Sequence, residues 1–166
     1  MAELKKPIIS LILGLTLGAI LGFAAGVGAG IVAFPYLFPP PELNEMVTDR
    51  EAGDAIASGQ FIHANPSDPV HYGKGGFIAY PDLLHLEADF EVGPGPKYHV
   101  YLVPEPDITP GTAVENTMFV DLGRLKAFGG SQNYPIPAGI DLTQYGSVVI
   151  WCEQFNVLIS PAKLNF

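Results

Sequence analysis

Hydrophobic positions in this chain follow two rhythms that meet near Pro41. From Ile8 to Phe34 apolar residues run almost unbroken, and no charged residue occurs between Pro7 and Pro41. At ~1.5 Å per residue, that run predicts one α-helix able to cross a ~30 Å hydrocarbon core with some tilt. Beyond Gly59 the apolar stretches are short. They predict strands over Gln60–Ala64, Gly75–Tyr80, Leu83–Phe90, Tyr98–Val103, Met118–Leu125, Ser147–Ile159 and Ala162–Asn165. Leu84, Leu86, Ala88 and Phe90 alternate with His85, Glu87, Asp89 and Glu91, the period of a strand with one wet face. Tyr98, Val100 and Leu102 alternate in the same way with Lys97, His99 and Tyr101. The breaks, among them Asn65-Pro66, Pro81-Asp82, Gly93-Pro94-Gly95-Pro96 and Gly129-Gly130-Ser131, carry turn chemistry. This spacing argues for a sandwich or barrel over an α/β fold. The expected architecture is an all-β sandwich domain with one N-terminal transmembrane α-helix.

The flanks of the helix orient it. Lys5 and Lys6 precede the run, Phe34, Tyr36 and Phe38 stand where aromatic belts sit, and acidic residues follow. The N-terminus is therefore expected in the cytoplasm, with the globular part periplasmic or extracellular. A cleaved signal peptide is the competing reading, since Val27-Gly28-Ala29 resembles a cleavage context. The run is much longer than a typical ~7–15-residue signal core, which favours an uncleaved anchor. Within it Gly14, Gly18, Gly22, Gly26 and Gly30 recur every four residues. Such spacing lays a smooth groove along a helix face, where another helix can approach closely enough for backbone packing in lipid. Glycine is also common in membrane helices without any such role.

Pro39-Pro40-Pro41 ends the helix and favours a stiff, extended exit. Thr48 and Glu51 are spaced as a capping box, predicting a short helix over Asp49–Ala57 that ends at Gly59. The expected division is residues 1–38 for the tail and span, 39–58 for the linker and short helix, and 59–166 for the sandwich.

Charge then narrows the partners. From Glu42 onward, six Lys/Arg face sixteen Asp/Glu, an excess of ten negative charges. Nucleic acid is excluded as a partner, because its affinity comes largely from basic side chains on phosphates. The same balance disfavours docking on anionic lipid head groups. The single cysteine forbids an internal disulfide and any Cys-x-x-Cys redox, zinc or haem-attachment motif.

That cysteine, Cys152, lies beside the single tryptophan, Trp151, in the most strand-like run of the chain. A redox thiol needs a thiolate, an exposed sulfur and usually a resolving partner. The neighbouring charge is Glu153, which raises a thiol pKa. A buried, inert thiol fits the strand context better.

Several ordered motifs resemble the DM-thirteen domain family. They are His71-Tyr72-Gly73-Lys74-Gly75, Asp89-Phe90, Gly93-Pro94 and His99-Val100-Tyr101-Leu102, then Leu122-Gly123-Arg124-Leu125-Lys126 and Gly129-Gly130-Ser131-Gln132-Asn133-Tyr134 with Pro135-Ile136-Pro137. The closing run Ser147-Val148-Val149-Ile150-Trp151-Cys152, with Phe155 and Ala162, is similar to that family's cysteine strand. The similarity covers roughly residues 59–164 and leaves the glycine helix outside. The chain departs from the family's pattern at Lys126-Ala127-Phe128-Gly129. The resemblance implies a β-sandwich of secreted or membrane-attached proteins, described as an electron-transfer domain on the strength of its shared cysteine. Cys152 matches that cysteine, and His71, Gly75, Tyr134 and Trp151 are family-matched candidates for structural or ligand roles.

A blue-copper site requires one Cys and two His in trigonal array with a weak axial ligand. No histidine or methionine follows Cys152, so such a site needs His63, His71, His85 or His99 to converge in space, with Met46 or Met118 as axial options. His71 reads either as a ligand or as a turn-fixing side chain, and His85 and His99 fall on wet strand faces. Nothing resembles a nucleophile elbow, a P-loop or a dinucleotide fingerprint. No cofactor and no catalytic residue is expected. The reading that needs only features present in the chain is an accessory subunit. Its glycine helix packs against other transmembrane helices of a larger complex, photosynthetic or respiratory among the candidates, or against copies of itself. The alternative is an electron-transfer or thiol-redox domain acting through Cys152.

Overall fold

The computed structural model describes residues 5–48 and 53–166. One helix, α1 (Lys5–Leu37), carries the apolar run, and Pro7–Leu37 is long and apolar enough to cross a membrane. From Pro7 to Glu42 the single buried residue is Pro35, so almost the whole helix surface is open.

The β-domain is a sandwich. Its larger sheet has the order β1 (Leu43–Asn44), β9 (Gly130–Pro135), β5 (Leu83–Leu86), β4 (Gly76–Ala79) and β2 (Ala57–Gln60). The facing sheet runs β11 (Val157–Lys163), β10 (Ser147–Cys152), β7 (Tyr98–Val103) and β8 (Val120–Arg124). A small ribbon of β3 (Gly73–Lys74) and β6 (Glu91–Val92) completes the fold. Phe77, Leu84, Leu86 and Tyr134 from one sheet meet Val100, Leu102, Val148, Ile150 and Cys152 from the other. The alternation in the sequence thus holds across β5 and β7. It stops at Leu86: the chain turns at Glu87–Phe90, leaving Ala88 exposed.

The β7–β10 sheet is covered on its second face as well. Tyr101, Val103, Val149, Trp151 and Leu158 pack there under Ile108 and Val114 of the long 104–119 connection. Every residue of β10 is consequently buried, the pattern of a central strand covered on both faces.

Three sequence expectations are corrected. Ser147–Ile159 is a hairpin, with β10 and β11 joined by a turn at 153–156 in which Asn156 takes the left-handed φ of 51°. Gly129-Gly130-Ser131, expected to be a break, opens β9, the strand that joins β1 to β5. The expected helix over Asp49–Ala57 has its first four residues outside the described ones. Its later part is extended: the Ile56 N–H bonds the Ala79 carbonyl at 2.9 Å, and Ala57 begins β2.

The proline exit is stitched to the domain. Leu43 and Asn44 pair in parallel with Gly130 and Ser131. The Glu45 carboxylate accepts Lys126 Nζ at 2.8 Å and the Asn133 N–H at 2.6 Å. Burial raises the Glu45 pKa, but these donors outweigh it, and the carboxyl sits below its ordinary value. Few degrees of freedom separate the helix end from the sandwich.

Candidate functional site

Cys152 ends β10 on its inward side, 1% exposed and unpaired with any other cysteine. Its thiol donates to the Pro96 carbonyl at 3.2 Å. Burial pushes the thiol pKa up, the Phe155 and Gln154 N–H groups pull it partly back, and Glu153 adds to the rise. The sulfur is therefore held as a thiol, the form that is a poor nucleophile.

The fold places His71 beside it. The two family-matched residues line one apolar cavity of about 420 Å³, together with Tyr98, Val157, and Val32 and Tyr36 of α1. His71 is held from behind by Asp68. One Asp68 oxygen is 2.7 Å from His71 Nδ1, and the other accepts the backbone N–H groups of Val70 and His71 at 2.9 and 3.1 Å. The hydrogen bond from His71 is the chief reason the Asp68 pKa is pushed down to about 2. His71 thus fixes its turn through Nδ1. Its Nε2 has no protein partner among the described residues. A carboxylate behind one ring nitrogen and an open second nitrogen is the arrangement that orients histidine ligands.

The remaining family-matched residues take part in the packing and hydrogen bonding of the fold. Gly75 takes φ +95°, and a Cβ there would run into the backbone of Asp89 and Phe90. Tyr134, 2% exposed, donates to Gln132 Oε1 at 2.8 Å. The same oxygen accepts the N–H groups of Lys126 and Ala127, each at 3.2 Å, so a buried glutamine pins the loop where the sequence departs from the family pattern. Trp151 belongs to the outer apolar cluster and faces away from Cys152. Although adjacent in sequence, the two serve opposite sides of the sheet.

The other three histidines, His63, His85 and His99, do not join His71 at Cys152. His63 Nε2 contacts the Asp68 carbonyl at 2.7 Å, and His85 Nδ1 contacts Asn133 Oδ1 at 2.6 Å. Met46 and Met118 are exposed. Among the described residues, the grouping able to share an ion is His99, Asp121 and Glu153, which excludes the cysteine. His99 and His85, expected to be solvated, are half-buried and bonded across strands. Asp121 lies 2.9 Å from His99 Nδ1, whereas Glu153 lies 3.6 Å from Nε2, on the other side of the ring. Glu153 also holds Lys97 Nζ at 2.9 Å and the Tyr101 hydroxyl at 3.0 Å. The group is a cross-strand ion-pair network. It depends on the β7–β8 and β7–β10 pairings, which no local spacing announces.

Comparison with protein families places residues 67–164 in the match to Electron transfer DM13. The chain belongs to this family. The DM13 match holds Cys152, His71, Gly75, Tyr134 and Trp151 and leaves α1 outside. Comparisons with curated proteins and with solved structures give no match.

Proposed function

We propose that this DM13 chain is a single-pass membrane subunit. Its helix packs into a larger membrane assembly, and its sandwich is held at the outer surface. The carrying observation is the state of the helix glycines. A Cβ added at Gly14, Gly18, Gly22, Gly26 or Gly30 meets nothing within 4 Å. Among the described residues nothing packs on the smooth stripe, yet each glycine costs about 1 kcal/mol of helix propensity relative to alanine. A close-approaching partner helix would offset that cost. Four residues overshoot a 3.6-residue turn by about 40°, so the stripe winds about 160° from Gly14 to Gly30. A winding stripe suits a right-handed crossing near −40°, which keeps two such helices in contact.

Lys5 and Lys6 before the span and the acidic domain after it support a cytoplasmic N-terminus and a periplasmic or extracellular sandwich. The test is co-purification of the intact chain in mild detergent. It should migrate with other membrane proteins or with itself, and Gly22→Leu should release it. A wild-type chain that runs as an unassociated monomer would sink this reading.

A second reading has its own observation: Cys152 and His71 share one apolar cavity in an electron-transfer family member. Here the sandwich passes electrons through a centre built at that cavity, and the helix only tethers it. Cys152→Ser and His71→Ala should then each abolish electron transfer to a soluble acceptor while the domain stays folded. Full activity in both variants rejects it.

A further inference from the structure

A larger cleft lies between the end of α1 and the sandwich. It encloses about 940 Å³, and its apolar wall is built by Ile31, Phe34 and Phe38 on one side and Leu125 and Phe128 on the other. Three cations line it: Lys97, Arg124 and Lys126. Among the described residues, no carboxylate does. This is unexpected in a domain with ten excess negative charges, because these are three of the five basic residues described beyond Pro41, the others being Lys74 and Lys163. Lys97 pairs with Glu153 and Lys126 with Glu45. The side chain of Arg124, exposed at the end of β8, has no ion-pair or hydrogen-bond partner among the described residues.

The depth of the cleft is set by the helix. The 31 residues of Pro7–Leu37 span roughly 46 Å at 1.5 Å each, about 16 Å more than a hydrocarbon core. With Lys5 and Lys6 at the inner face, the excess is the last ten or so residues. Those residues form the helix side of the cleft, which therefore stands at head-group level and opens onto the acyl chains below.

We infer that this cleft holds one membrane lipid with an anionic head group, an inference that rests on the membrane-anchor reading above. Its acyl chain lies between Phe34, Phe38 and Phe128, and its phosphate meets the guanidinium of Arg124, whose planar fork matches phosphate oxygens. The acidic balance of the whole domain opposes broad adsorption on charged membranes. At the cleft itself the two lysine charges are met by Glu153 and Glu45, which leaves Arg124 as the unpaired charge among the described residues. At contact distance it outweighs the screened charges of the rest of the domain.

The test uses the full chain reconstituted in vesicles of phosphatidylcholine with phosphatidylglycerol, checked for insertion by flotation, re-extracted in mild detergent and analysed for retained lipid. The chain should retain phosphatidylglycerol over phosphatidylcholine by about tenfold, the size of one charge-assisted contact. Arg124→Glu should abolish the preference, and Arg124→Lys should keep part of it. Thermal melting confirms that both variants fold, which the exposed position of Arg124 favours. Equal retention of the two lipids, an Arg124→Glu chain that behaves as wild type, or an isoprenoid quinone recovered from the cleft instead would each overturn the inference. A chain that fails to float defeats the anchor reading and the lipid site together, whereas one that floats without lipid preference defeats the site alone.

Discussion

The glycines of the sandwich and those of the helix make opposite use of the same missing atom. At Gly59, Gly75, Gly130 and Gly146 an added Cβ collides with backbone or ring atoms of the chain itself. At the helix positions it meets open space. In the sandwich, glycine lets one segment lie against another of the same molecule, so its value is already realised in the folded chain. In the helix, whatever the bare face accommodates comes from outside: lipid, or a second helix. A residue that looks equally permissive in both places is thus a folding device in one and, on the function proposed above, an association device in the other.

Gly75→Ala breaks the comparison most sharply on the folding side. It forces a φ of +95° on an alanine and drives its Cβ into Asp89 and Phe90, whose neighbouring carboxylate holds the Gly76 N–H at 2.9 Å. Strain and overpacking together should cost about 3 kcal/mol, read by denaturant unfolding of the domain. Gly22→Leu is the counterpart. The domain midpoint should not move, while co-migration with partner proteins in detergent falls by about tenfold or more, for loss of close helix contact. A Gly22→Leu chain that assembles normally would leave lipid as the only occupant of the stripe.

Cys152→Ser sits between these extremes. The hydroxyl can still donate to the Pro96 carbonyl, but a less apolar atom replaces sulfur in the core. A loss of about 1–2 kcal/mol in unfolding free energy follows. With burial holding the thiol up, alkylation of wild-type Cys152 should be slow in native buffer and speed up as denaturant opens the domain. Fast native labelling would show that the cavity beside His71 admits solvent and would favour the electron-transfer reading over the structural one.

How much of this was legible in the sequence depends on where the determining contact lies. The apolar run announces its helix by length and unbroken hydropathy, and β7 and the first part of β5 carry their inward faces in local alternation, so all three could be read directly. Strand β9 could not. Its Ser131 and Gln132 are polar residues buried by hydrogen bonds to Glu45 and to the 126–127 loop, and its first residue is a left-handed glycine. Polarity and turn chemistry both pointed the wrong way. Trp151 and Cys152 read as one feature until the second cover on the outer face separated them. The cavity joining Cys152 to His71 is a matter of tertiary closure across about eighty residues. Family resemblance marked both residues as worth watching, but nothing in the spacing brought them together.

Acid provides the mildest discrimination between the two regions. Asp68, pushed down to about 2 from an ordinary 3.8, binds its proton more weakly when folded than when unfolded. Its contribution to stability is therefore fully present above about pH 4 and drains away as pH falls from there through 2. Glu45, lowered by Lys126 and Asn133, acts in the same direction and loosens the seam between the exit segment and β9. Titration from pH 6 to 2 should thus lower the unfolding midpoint of the sandwich, and Asp68→Asn should flatten part of that slope. The span contributes no charged side chain between Pro7 and Pro41, so its association should hold across the interval in which the domain weakens. Parallel loss of assembly and domain stability would mean that the partner is gripped by the sandwich rather than by the glycine stripe. That single outcome would move the functional surface from the membrane to the β-domain.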